Sequence, residues 1–134
     1  MIVVDTNTLV YLCLPGEYTE ASEALLVEDP EWVAPPLWRS EFCNVLATRL
    51  RQRRLTLQQA LDRLAFTQEQ MAAAEFSVDS EHVLELALES GCSAYDCEFV
   101  SLAMQLDVPL VTMDAQVLKA FPRRARPLTR RRKR

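Results

Sequence analysis

Glycine is scarce in this chain, with Gly16 and Gly91 the only two in 134 residues. Phosphate-cradling loops and dinucleotide fingerprints both need closely spaced glycines, so both motifs are excluded and nucleotide-cofactor chemistry is not expected. Histidine is scarcer, with His82 alone, and the four cysteines Cys13, Cys43, Cys92 and Cys97 form no C-x-x-C pair. That inventory argues against a zinc site and reads as buried thiols in a reducing, cytoplasmic setting. No run of eighteen uncharged apolar residues is present. The apolar opening MIVVDTNTLVYLCL is interrupted by Asp5 and has no basic leader, so neither a membrane span nor a secretion signal is expected.

What is present is enough apolar sequence, about half of the residues, to bury the core of one domain. Charge is unevenly spread. Eight of the fifteen positive groups fall in residues 123–134, which leaves residues 1–122 with seven against nineteen acidic groups, a net of −12. The expected organisation is one domain over residues 1–122 and a basic tail over residues 123–134. Within that tail Arg130, Arg131, Arg132, Lys133 and Arg134 are candidates for gripping nucleic acid, or for folding over an acidic mouth as an internal inhibitor. A solvated chain end is the plainer reading.

Ile2–Val4 reads as a strand, and Asp5, Thr6 and Asn7 as the cap of a helix carrying Leu9, Val10 and Leu12. A helix over 18–28, a strand at Trp32–Ala34 stopped by Pro35 and Pro36, and a helix from Leu37 ending in Arg49, Arg51, Arg53 and Arg54 follow. Those arginines suit the negative end of a helix and read as solvated. Thr56 opens a helix to Met71, Glu75–Val78 reads as a third strand, and Ser80 caps a helix closed by Gly91. A helix over 95–106, a buried strand at 108–112 and a helix over 115–121 complete the chain. Strands alternating with helices predict an α/β fold with a mostly parallel sheet of four or five strands covered on both faces.

In such sheets the crevice lies beyond the carboxyl ends of the strands. Asp5 and Asp114 follow strands directly, Asp96 falls in the first turn of its helix, and Glu41 lies one turn inside the helix after Pro36. Each has an ordinary alternative as a cap, a turn former or a solvated glutamate. Gathered at one rim, though, four carboxylates repel one another, and a divalent cation resolves the conflict. An oxygen-only donor set selects Mg²⁺ or Mn²⁺.

The segments VVDTNTLVYL, LWRSEFCNVLA, AYDCEFVSLA and VPLVTMDAQV resemble the four acidic motifs of PIN-domain nucleases, especially the VapC-like toxins of bacterial toxin-antitoxin pairs. The resemblance runs to about Phe121. It implies a PIN-like fold and Mg²⁺-dependent endoribonuclease activity, with Asp5, Glu41, Asp96 and Asp114 as the catalytic, metal-binding quartet. Asn7 and Thr112 match supporting polar positions. An RNA substrate, a cognate antitoxin and a homodimer are further implications of the resemblance. Two rivals stand beside it: a PIN-like module that holds RNA or protein without cutting, and a haloacid-dehalogenase-like phosphatase, suggested by DTNTLV but lacking a second aspartate where Asn7 stands. A receiver-like module is a poorer fit, because Lys119 is badly placed for it.

Overall fold

The computed structural model describes residues 1–129. β1 (Ile2–Val4) is buried at every residue. Successive strand side chains point to opposite faces, so helices must cover both. It lies between β2 (Trp32–Val33) and β3 (Leu110–Val111), with β4 (Ala125–Arg126) outside β3. The order is β2-β1-β3-β4, and every pairing is parallel.

Among the described residues, seven helices make the connections. α1 (Thr6–Cys13) and α2 (Thr19–Glu28) join β1 to β2. Between β2 and β3 come α3 (Trp38–Arg51), α4 (Leu57–Met71), α5 (Ser80–Ser90) and α6 (Ala94–Leu106). α7 (Ala115–Ala120) joins β3 to β4. This is the expected α/β architecture, with four strands.

The apolar positions of α3, Trp38, Phe42 and Leu46, recur at intervals of four and are buried together. Trp38 and Phe42 meet edge-on, with ring centroids 5.9 Å apart. Burial of a side chain such as Phe42 contributes roughly 1.5–3 kcal/mol. Because that face is committed to the core, the opposite face of α3 turns outward. All four cysteines are free thiols, with Cys13, Cys92 and Cys97 buried and Cys43 exposed. No helix among the described residues is long and apolar enough to cross a membrane.

Three local expectations are corrected. The strand expected over Glu75–Val78 is reduced to one parallel bridge, Ala34 to Glu75. The Ala34 amide and carbonyl make the two bonds of that bridge, to Ala74 and Phe76, so the next amide needed is that of residue 36; Pro36 has no N–H, and the ladder cannot continue. The cap of α5 is Asp79, whose carboxylate accepts from the Glu81 amide at 3.0 Å, and Ser80 is already helical. Ala125 and Arg126, read from sequence as part of the basic tail, are instead an edge strand of the sheet. Residues 130–134, and with them Arg130, Arg131, Arg132, Lys133 and Arg134, lie outside the described residues.

Candidate active site

β1 stops at Val4, so Asp5 stands at the carboxyl edge of the sheet and caps α1. Its Oδ1 accepts from the Thr8 amide at 2.9 Å and from Thr8 Oγ1 at 2.7 Å. Its Oδ2 accepts from Thr112 Oγ1 at 2.6 Å. Thr112 directly follows β3, and the parallel pairing of β1 with β3 brings these distant positions side by side. The same Thr112 oxygen accepts from the Asp114 amide at 3.0 Å, tying the two aspartates to one hydroxyl. Asp114 in turn caps α7, its Oδ1 accepting from the Val117 amide at 2.9 Å.

The other two acids arrive on helices. Ser93 caps α6 and accepts from the Asp96 amide at 3.1 Å, which sets Asp96 in the first turn at the positive end of the helix. Glu41 Oε1 accepts from Thr6 Oγ1 at 2.7 Å. The start of α3 is pinned from outside by the paired contact of Arg39 with Glu75, Nε to Oε2 at 2.9 Å. Glu75 belongs to the bridge beside β2, so the short ladder that replaces the expected strand helps to place the helix carrying Glu41.

Asp5, Glu41, Asp96 and Asp114 all line one open cavity of about 530 Å³, together with Asn7, Thr6, Ser40, Asn44 and Tyr95. Thr112 is buried beneath it and acts on Asp5 rather than on the cavity itself. Burial raises the proton affinity of Asp5; the hydroxyls of Thr112 and Thr8 counter this, and the charge of Asp114 adds to it. Glu41 is raised by burial, opposed by the Thr6 hydroxyl and increased by Asp96 and Asp5. Asp96 is raised by burial and by Asp114. Three acids thus hold their protons more tightly than usual, chiefly because burial disfavours the ionised form, with the neighbouring like charges adding to it.

Oxygen donors that repel one another suit a hard divalent cation. Among the described residues, however, no three acidic, histidine or cysteine side chains are close enough to enclose a metal by themselves. That spacing fits Mg²⁺, which keeps several waters and takes only one or two carboxylates directly. The residues present therefore fit a partly hydrated ion.

Sequence reading missed Thr6 and Thr8. Thr8 carried a signal, since a threonine three residues after a capping aspartate sits where both its amide and its hydroxyl face the cap. Thr6 carried none, because its partner is remote in sequence.

Comparison with known proteins agrees with the architecture. The chain is 28% identical to ribonuclease VapC3 of Pyrobaculum aerophilum over 124 residues, spanning 90% of this chain and 95% of that one. Its structure superposes on PAE2754 from Pyrobaculum aerophilum with a TM-score of 0.76 at 20% identity, covering 95% and 90% of the two chains. A toxin-antitoxin complex from Klebsiella pneumoniae matches with a TM-score of 0.67 at 16% identity, over 96% and 98%. Residues 2–124 match the PIN domain, and the chain belongs to the PIN-domain family.

Proposed function

We propose that this protein is a Mg²⁺- or Mn²⁺-dependent endoribonuclease, the toxin of a toxin-antitoxin pair acting in the cytoplasm. The observation that carries the reading is the convergence of four carboxylates, two capping α1 and α7 and two within α3 and α6, on one open cavity. The ribonuclease name of the 28% identical relative supports RNA as the substrate. The Klebsiella pneumoniae complex supports an antitoxin as partner. A homodimer completes the proposed assembly. Family membership sets aside the phosphatase reading, whose aspartate motif belongs to another fold.

Asp5, Asp96 and Asp114 would hold the cation, one or two of them directly and the rest through its coordinated waters, with Thr112 and Thr8 fixing the Asp5 carboxylate from below. When bound, a divalent cation lowers the pKa of coordinated water and offsets charge on the phosphate. Glu41 binds a second ion or orients the attacking water; its raised proton affinity suits it to receive a proton from that water. Asn7, exposed at the rim, donates its amide to ligands or phosphate oxygens.

The test is incubation of the purified protein with labelled RNA and DNA, with and without Mg²⁺ or Mn²⁺, beside Asp5→Asn and Asp96→Asn. Metal-dependent cutting of RNA that is lost in both variants is the expected result. Cutting that persists in EDTA or in both variants overturns the proposal. Binding of RNA with no cutting under any metal supports the non-catalytic module instead.

A further inference from the structure

The cavity is a poor place for a polyanion to land. Residues 1–122 carry a net charge of −12, and the acids of the cavity repel phosphate. A strand that reaches these acids must be held by cations elsewhere on the same surface.

α3 supplies a route to such cations. Ser40, Glu41 and Asn44 line the cavity on the face of α3 opposite the buried Trp38 and Phe42. With 3.6 residues per turn, Thr48 and Arg51 fall within roughly 35° of the middle of that cavity-facing side. Both are exposed. At 1.5 Å per residue Arg51 stands about 15 Å along the helix from Glu41. Arg49, by contrast, turns toward the core side.

The end of the helix adds an independent observation. The Arg54 amide donates to Arg49 O at 2.9 Å and the Arg53 amide to Leu50 O at 3.0 Å, the paired bonds of a Schellman ending. The position that such an ending gives to glycine is held here by Arg53, at φ +57°. An L-residue is strained there, so folding alone gives no reason for arginine. Arg39 and Arg124 are engaged with Glu75 and Asp107, whereas Arg51 and Arg53 pair with no carboxylate among the described residues.

We infer that Arg51 and Arg53 form a backbone anchor for a single-stranded nucleic acid that enters the cavity and runs along the outer face of α3 over Asn44 and Thr48. The anchor rests on the nuclease reading for its substrate, but its physical basis is separate. It grips phosphates and ignores base identity, so it sets affinity and the minimum length of a good substrate.

The test compares the full chain with the Arg51→Gln, Arg53→Gly double variant and with Arg124→Gln, which removes one positive charge at the opposite, amino edge of the sheet. Binding of a fluorescent single-stranded RNA decamer is followed against salt in EDTA, where no metal-dependent cutting interferes. The double variant is expected to flatten the slope of log affinity against log salt by about 1.4, at 0.7 per lost phosphate contact, and to weaken binding roughly tenfold. Arg124→Gln leaves the slope as it is. Arg53→Gly alone raises the melting temperature while lowering affinity, which separates the anchor from a structural role. With Mg²⁺, KM for the decamer rises at constant kcat, and a dinucleotide is cut equally by both proteins. An unchanged slope, or an equal loss in Arg124→Gln, overturns the anchor. Failure to cut with an intact slope difference removes the nuclease reading and leaves the anchor standing.

Discussion

Thr112 and Thr6 each govern one acid of the cavity through a single hydroxyl. Thr112 is 1% exposed and serves Asp5 and the Asp114 amide at once. Thr112→Val is expected to cost about 1–3 kcal/mol in a urea titration, because a part-buried amide and a carboxylate lose their partner. Thr112→Ser keeps both bonds and should stay close to the parent. Thr6→Val removes the hydrogen bond that favours ionised Glu41, so Glu41 holds its proton to higher pH. The acid limb of the cleavage-pH profile should therefore move upward; a limb that stays put would detach Glu41 from proton transfer. The four carboxylates stand out in the sequence because each follows a strand or opens a helix, which local spacing reveals. Their hydroxyl partners do not stand out, since Thr6 to Glu41 and Asp5 to Thr112 span 35 and 107 positions. Only the strand order brings those pairs together.

Helices were legible where apolar spacing repeats over many residues, as in α3 and α4, and where a Gly or Ser-type signal closes or opens them. Gly91 is one such signal, ending α5 at φ +72° with nothing within 4 Å of an added Cβ. Gly91→Ala should therefore cost about 1–2 kcal/mol from backbone conformation alone, measurable as a lower midpoint in thermal unfolding. A variant as stable as the parent would show that the helix end can rearrange. The two-residue strands were harder. β4 has only Ala125 and Arg126, set among arginines, and no alternation can develop over that length. It exists because Leu110 and Thr112 donate their amides to Arg124 and Arg126 carbonyls at 2.9 and 3.0 Å. Such pairing is a property of β3 and leaves no mark on residues 125–126 themselves.

Across the molecule, the raised proton affinities of Asp5, Glu41 and Asp96 make folding depend on pH and on metal. Between the ordinary carboxylate range and the raised values the folded state binds more protons than the unfolded chain. These groups therefore help stability most below the ordinary range, and that help is lost as pH rises through their folded values. Glu75 works in the opposite sense, since Arg39 lowers its proton affinity. Asp96→Asn should flatten the fall of metal-free stability toward neutral pH and raise the melting temperature at pH 7 by roughly 1–3 °C, while abolishing cleavage. Added Mg²⁺ at a hundred times its Kd should contribute about 2.7 kcal/mol to the parent and far less to Asp5→Asn, read by calorimetry. No gain in the parent would remove the cation from the proposal. One practical matter follows from the parallel sheet. The amino group of Met1, 3.3 Å from Asp29, marks the amino edge of the sheet, while residues 127–129 follow β4 at the carboxyl edge, the edge on which the cavity opens. Solubility tags, reporter proteins and immobilisation chemistry therefore belong on the Met1 side, where they leave the mouth unobstructed.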